Sequence, residues 1–258
     1  MQKYGLIGYP LSHSFSKQFF ETKFAREQLL EASYELYELK SLQELPSLLA
    51  REPSLAGLNV TIPYKQKILP YLRNLSPSAQ TVGAVNVIKI NADRSLTGYN
   101  SDYYGFLQSL SHQLGEYKNL HSLDGYRALV LGTGGASQAV QAALQSLKIP
   151  FRVVSRTKKS PKNLLYENLN EALMAEHRLI INTTPLGMYP ATEACPAIPY
   201  QFIGPQHLLY DLIYNPEMTL FLQKGKEAGA KIKGGLEMLY LQAEKAWEIW
   251  QSPEIPTK

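Results

Sequence analysis

The chain has 258 residues, enough for two ordinary domains at roughly 100 to 200 residues each. Apolar residues make up 45% and charged residues 19%, which excludes a disordered or fibrous chain and predicts packed cores. The net charge of +4 comes from basic residues spread along the sequence rather than gathered into a stripe, so no nucleic-acid partner is expected. One cysteine, Cys195, excludes an intramolecular disulfide framework, and the five histidines lack zinc-ligand spacing, so no metal is expected. No apolar run approaches the roughly 20 residues of a membrane helix, which leaves a soluble protein of the reducing cytoplasm as the expectation.

In chain order, the pattern predicts a strand over 4–8, a helix over 16–28, a strand over 33–39, a helix over 41–51, a strand over 57–62 and a helix over 64–72. A strand over 83–90 follows, then a turn of hairpin chemistry at Asn91-Ala92-Asp93, a strand over 95–99 and a helix over 102–114. After a polar stretch over 115–122 the alternation starts again. Strands are predicted over 126–131, 151–155, 178–182, 207–211 and 230–233, with helices starting near Ala136 and Pro216. A last helix over 236–251 follows Gly234-Gly235. The fold class is α/β with two domains: an N-terminal substrate domain with a mostly parallel sheet, formed by 1–102 and 236–258, and a Rossmann-type dinucleotide domain over 103–235.

Leu129-Val130-Leu131-Gly132-Thr133-Gly134-Gly135-Ala136-Ser137 reads as a strand, a glycine turn and a helix start, with Gly132, Gly134 and Ser137 at the G-x-G-x-x-G/A positions. Residues without side chains let the backbone approach a pyrophosphate, and the helix N-terminus at Gly135 and Ala136 offers N–H donors with partial positive charge. A plain connecting turn is the competing reading. At the end of the next strand, an NAD-binding chain would carry a carboxylate for the ribose 2′-hydroxyl. This chain has Ser155-Arg156-Thr157-Lys158, in which a planar guanidinium, two hydroxyls and an amine suit a 2′-phosphate, so NADP(H) is favoured over NAD. A solvated basic loop would look the same.

Along 57–62, Leu58, Val60 and Ile62 share one face while Asn59 and Thr61 share the other, near the strand's C-terminal end. Pro63 then suits a helix first turn, which puts Lys65 where the macrodipole disfavours a cation; in a partly dry site both effects would favour an amine that exchanges a proton, and a surface lysine beside Lys67 is the competing reading. Asp102 lies where a strand gives way to a helix; alone it reads as an N-cap, but an amine and a carboxylate from two strand ends of one α/β sheet converge where such sheets bind ligands. Asn86 sits in an apolar stretch and needs a partner or a ligand. Ser14 and Ser16, just ahead of a helix, suit a carboxylate, with N-capping as the plainer role for Ser16. Gln242 lies on the apolar stripe of the last helix with Met238, Ala246, Ile249 and Trp250, which calls for a polar partner or an edge position.

The ordered set His13-Ser14-Phe15-Ser16, Asn59-Val60-Thr61-Ile62-Pro63-Tyr64-Lys65, Gly83-Ala84-Val85-Asn86, Asn100-Ser101-Asp102, Asn182-Thr183-Thr184-Pro185-Leu186-Gly187-Met188, Asp211-Leu212-Ile213-Tyr214-Asn215-Pro216 and Gly234-Gly235 followed by Gln242 resembles the shikimate dehydrogenases along nearly the whole chain. The resemblance implies reversible NADPH-dependent reduction of 3-dehydroshikimate to shikimate, on the route to chorismate and the aromatic amino acids. It implies that Ser14, Ser16 and Tyr214 hold the substrate carboxylate and that Asn59, Thr61, Asn86 and Gln242 surround the ring hydroxyls. Lys65 then either gives the proton to the carbonyl oxygen or stabilises the alkoxide, and Asp102 orients or shares that proton. Thr183, Ile213 and Gly235 frame the ribose and nicotinamide, with Asn182 at that strand end. Family members often have Asn-Arg-Thr where this chain has Ser155-Arg156-Thr157, which alters the adenine contacts but leaves the 2′-phosphate fork. Competing readings are a quinate/shikimate dehydrogenase with relaxed cofactor use and a non-catalytic NADP- or shikimate-binding sensor. The small-molecule partner is expected to meet a monomer or a homodimer.

Overall fold

Buried side chains along the strands go alternately to the opposite faces of two sheets. The computed structural model describes residues 2–11, 15–115, 126–157, 160–161 and 163–253. They divide into two compact units, Met1–Ser101 with Gln242–Lys258, and Asp102–Leu241.

The first unit contains β1 (Gln2–Gly8), α1 (Phe15–Arg26), β2 (Ala32–Glu38), α2 (Leu45–Arg51), β3 (Leu55–Val60), β4 (Asn74–Leu75), α3 (Pro77–Val82), β5 (Val87–Ile90) and β6 (Leu96–Tyr99). Its sheet runs β2-β1-β3-β5-β6-β4, with β5 antiparallel to both β3 and β6 and the other pairs parallel. On β1, Tyr4 and Leu6 join Phe20, Phe24, Tyr34 and Trp250 on one face, while Ile7 joins Leu45, Leu48, Leu58 and Val60 on the other. Each such side chain contributes about 1.5–3 kcal/mol when fully buried, so this alternation sets the register.

The second unit contains β7 (Ala128–Leu131), α5 (Gly135–Ser146), β8 (Phe151–Ser155), β9 (Leu164–Leu165), α6 (Glu171–Glu176), β10 (Leu179–Asn182), β11 (Leu208–Asp211), α7 (Leu220–Glu227) and β12 (Lys231–Lys233). The strands run β12-β11-β10-β7-β8-β9, all parallel. Ala128, Val130, Leu179, Ile181, Leu208 and Tyr210 fill one core, and Leu129, Leu131, Ile180 and Leu209 fill the other. A sheet buried on both faces this way is the doubly wound arrangement, and its winding reverses between β7 and β10. Ligands of such sheets bind at the strand C-termini beside that reversal. Two further helices, α4 (Ser101–Gly115) and α8 (Leu236–Gln251), each contribute residues to both units.

Several sequence expectations need correction. The helix expected over 64–72 is a set of turns followed by a short 3₁₀ turn, Leu69–Tyr71. Pro70 lies inside the expected span, where it lacks the N–H of a helix ladder and obstructs the preceding turn. The strand expected over 83–90 covers Val87–Ile90, because residues before it complete α3: the Ser76 hydroxyl accepts from the Ala79 amide at 3.2 Å, Pro77 opens the helix and Gly83 ends it. Asn86 therefore precedes β5 instead of lying within it. The helix expected near Pro216 starts at Leu220, where Thr219 caps it. No helix among the described residues is long and apolar enough to cross a membrane, and their His, Cys, Asp and Glu side chains form no group able to hold a metal ion.

Candidate functional site

In the first unit, one run of hydrogen bonds links most of the polar residues singled out in the sequence. Parallel pairing sets Tyr34 of β2 beside Tyr4 of β1, and Asn59 of β3 beside Leu6. The Tyr34 ring is buried and stacked on Phe20, with centroids 4.6 Å apart. Its hydroxyl donates to Asn59 Oδ1 at 2.7 Å and is also hydrogen-bonded to Ser16. Burial pushes the phenol far up from its ordinary range, with the Ser16 contact opposing weakly, so Tyr34 stays a donor. Asn59 Nδ2 donates to the Asn86 carbonyl at 3.3 Å. Asn86 in turn accepts the Ser101 amide on Oδ1 at 2.7 Å and donates from Nδ2 to Ser101 Oγ at 3.0 Å. Ser101 Oγ then donates to Gln242 Oε1 at 3.4 Å.

These contacts fix how both asparagine amides are turned. Asn86 Oδ1 faces a backbone N–H, and Asn59 Nδ2 faces a carbonyl, so rotating either amide would oppose like groups. Among the described residues, these contacts use one N–H of each side-chain amide and leave the other. Asn59 and Asn86 are both buried, a setting in which a satisfied polar network holds its geometry.

Thr61 extends the β1–β3 pairing, its amide donating to the Ile7 carbonyl at 2.9 Å. The turns that follow are anchored by Tyr64, whose hydroxyl donates to the Leu39 carbonyl at 2.5 Å, and by fully buried Ile68. Lys65 sits half-buried between these anchors, and its carbonyl accepts the Val85 amide at 2.7 Å. With no helix here, the macrodipole does not act on Lys65. Placement next to the 84–86 segment is what locates it. Asp102 is the second residue of α4, inside the helix rather than at its N-cap, and is buried. A carboxylate in a helix first turn is favoured by the macrodipole. Ser16 likewise lies inside α1, which begins at Phe15, and is not its N-cap. Ser14 lies outside the described residues.

In the second unit, the turn after β7 carries the features of an anion cradle. Gly132 has φ of +113°, and a Cβ there would lie 2.7 Å from Thr183 Oγ1, so only glycine fits. The Thr183 hydroxyl donates to the Leu131 carbonyl at 2.6 Å. Ser137 is fully buried and donates to the Gly132 carbonyl at 2.8 Å, so its hydroxyl closes the turn. Gly134 caps α5 with no side-chain bond, and a Cβ on it would meet nothing within 4 Å. The first-turn amides at Gly135 and Ala136 have no acceptor within the helix, as an anion site requires. At the end of β8, the Ser155 hydroxyl donates to the Thr157 carbonyl, while Arg156 and Thr157 are exposed. Arg156 lies near Tyr166, whose phenol burial pushes up and the guanidinium draws down. A cradle without side chains and an exposed guanidinium with no acidic residue at the strand end fit NADP(H). Lys158 lies outside the described residues.

The ends of β10 and β11 are joined by side chains. Asn182 and Asp211 are both fully buried, and Asn182 Nδ2 donates to Asp211 Oδ1 at 3.0 Å. Every hydrogen-bonding position of Asn182 is taken: Oδ1 accepts from the Thr184 amide and hydroxyl, and Nδ2 also reaches the Leu186 carbonyl. Asn182 thus shapes the loop from within the protein. Burial raises the Asp211 carboxyl from 3.8 to about 6, against the lowering effect of hydrogen bonds from Thr219, Ile213 and Asn182. The Ile213 carbonyl accepts the Gly235 amide at 3.0 Å, and a Cβ on Gly235 would lie 2.1 Å from the Leu212 carbonyl oxygen. Tyr214 is half-buried just beyond. Sequence reasoning missed Tyr34, Ser101, Asp211 and Thr219 as organisers of these two groups.

Residues 6–88 match the family model for the shikimate dehydrogenase substrate binding domain. The whole chain aligns over 266 residues with the NADP(+) shikimate dehydrogenase of Clostridium beijerinckii at 39% identity, covering 100% of this chain and 95% of the relative. This chain belongs to the shikimate dehydrogenase family. Shikimate dehydrogenase from Aquifex aeolicus has a matching crystal structure with TM-score 0.84 and 34% identity, covering 99% of this chain and 94% of that one. Shikimate 5-dehydrogenase from Thermus thermophilus, solved in complex with NADP(H) and shikimate, matches with TM-score 0.80 and 32% identity over 97% of this chain and 93% of that one. The span that matches the substrate binding domain of the shikimate dehydrogenases lies wholly in the first unit, with the run from Ser16 to Asn86 inside it.

Proposed function

We propose that this chain catalyses the reversible NADPH-dependent reduction of 3-dehydroshikimate to shikimate, a step toward chorismate and the aromatic amino acids. Family membership supports the reaction. The observation that carries the assignment of residues is the hydrogen-bonded run Ser16, Tyr34, Asn59, Asn86, Ser101 and Gln242 in the unit matching the substrate binding domain. Such a run supplies fixed donors at set spacing, as recognition of a rigid polyhydroxylated ring requires.

In this reading Ser14, Ser16 and Tyr214 hold the carboxylate, and Asn59, Thr61, Asn86 and Gln242 contact the ring hydroxyls. NADPH, when bound, supplies a hydride to the carbonyl carbon. Lys65 gives its proton to the carbonyl oxygen, which becomes the new hydroxyl, and Asp102 orients or shares that proton. The reverse direction returns the proton to Lys65. The turn Gly132–Ser137 receives the diphosphate, Arg156 with Ser155, Thr157 and Lys158 receives the 2′-phosphate, and Thr183, Ile213 and Gly235 border the nicotinamide ribose. The half-buried free thiol of Cys195 is compatible with a cytoplasmic enzyme, working as a monomer or a homodimer. The test is the absorbance of reduced nicotinamide formed from shikimate and NADP⁺, compared with quinate and with NAD⁺. Turnover of shikimate that prefers NADP⁺ is expected; no turnover, or an equal rate with NAD⁺, refutes the assignment.

A further inference from the structure

We infer that Asp211 is a positioning residue that aligns the two loops bordering the nicotinamide end of the dinucleotide, an inference that rests on the cofactor reading above. Its carboxylate is fully buried and carries three donors from three segments. Oδ1 accepts from Asn182 Nδ2 at 3.0 Å and from the Ile213 amide at 3.0 Å, while Oδ2 accepts from Thr219 Oγ1 at 2.7 Å. Through Asn182 it holds the loop after β10, because Asn182 Oδ1 takes the Thr184 amide at 3.0 Å and the Thr184 hydroxyl at 2.6 Å. Through Ile213 it holds the loop after β11, whose carbonyl binds Gly235. Through Thr219 it reaches the N-terminus of α7, since Thr219 Oγ1 also accepts the Leu222 amide at 3.3 Å.

A buried carboxylate is a costly way to satisfy three donors, and water or a neutral side chain would serve in most loops. Here one acceptor group must serve donors on two loops at once. A carboxylate does so with both oxygens at fixed spacing, and its charge strengthens bonds to donors. The loops it joins carry Thr183 and Ile213. Asp211 touches neither substrate nor cofactor in this reading and acts through those loops.

The test measures binding by calorimetry with two probes, NADP⁺ and adenosine 2′,5′-bisphosphate, which has the adenine and 2′-phosphate but no nicotinamide. Asp211→Ala is expected to weaken NADP⁺ about tenfold or more while leaving the bisphosphate within about twofold of wild type. Asp211→Asn keeps an oxygen for Asn182 and Ile213, and its amide can meet a reoriented Thr219 hydroxyl, so it is expected to restore most NADP⁺ affinity. If Asp211→Ala does not fold, Asn182→Ala removes one of the two loop connections and is expected to show the same selectivity. Equal weakening of both probes, or no change in either, overturns the inference. A wild-type chain that binds neither probe overturns the cofactor reading and the inference with it.

Discussion

Removing a single oxygen at Tyr34 separates a recognition network from ordinary core packing. In Tyr34→Phe the ring stays, so stacking on Phe20 at 4.6 Å and packing near Trp250 at 6.4 Å persist. What disappears is the donor to Asn59 Oδ1 and the partner of Ser16. A buried acceptor left without a donor costs about 1–3 kcal/mol, which for a chain of this size lowers the melting temperature by a few degrees. Asn59 then has no partner on one side of its amide, and loss of about 1–2 kcal/mol in its alignment corresponds to a factor of roughly 5–30. KM for shikimate is therefore expected to rise by that factor in a steady-state assay, with KM for NADP⁺ within about twofold of wild type. A lower melting temperature with unchanged KM for shikimate would reduce Tyr34 to a packing residue. No change in either quantity would refute the hydrogen-bond reading itself.

Lys65→Ala is expected to lower kcat by about 10²- to 10⁴-fold with a modest change in KM, the range for a lost general acid; near-normal kcat would remove the lysine from the chemistry. Arg156→Asp should weaken NADP(H) far more than NAD(H) in equilibrium titrations, because the fork for the 2′-phosphate is replaced by a repelling charge; equal effects would contradict the NADP assignment. Asp211 makes stability depend on pH. With its carboxyl raised from 3.8 to about 6, the folded chain binds the proton more tightly than the unfolded one. Its burial as an anion therefore costs roughly 3 kcal/mol above pH 6, and that cost is relieved as pH falls toward 4. Asp211→Asn lacks this dependence, so any stability advantage it has over wild type at pH 7 should shrink at pH 5 in thermal melts. A gap that does not change with pH would contradict the burial argument.

The strand Phe151–Ser155 and the helix Leu236–Gln251 are legible because an apolar pattern and a preceding breaker, Pro150 for the strand and Gly234-Gly235 for the helix, mark them. The region 64–83 is not, because Pro63 resembles a helix start while Pro70 forbids its continuation, and the real signal, Ser76-Pro77 with Gly83, lies farther on. Within the candidate site, Asn86 stands out as a polar residue in an apolar stretch, and Asn59 as one of two polar residues on one face of an alternating strand. Tyr34 does not, since a phenol in a strand alternation reads as core and its hydroxyl acts only once β1, β2 and β3 lie side by side. Asp211 ends an apolar strand as many residues do. Its importance comes from Asn182 and Thr219, 29 and 8 positions away, which only the parallel sheet and the start of α7 bring to it.

Under the proposed assignment, the two asparagines of the first unit also bear on inhibitor chemistry. Each side-chain oxygen already accepts one hydrogen bond, from Tyr34 or from the Ser101 amide, while each Nδ2 carries a second N–H beyond the bond it makes to the Asn86 carbonyl or to Ser101. Under the proposed assignment, swapping a ring hydroxyl for an ammonium would remove the lone pairs that these N–H groups address, whereas an ether or keto oxygen would keep them. Analogues built on the ring should be chosen for the lone pairs they present.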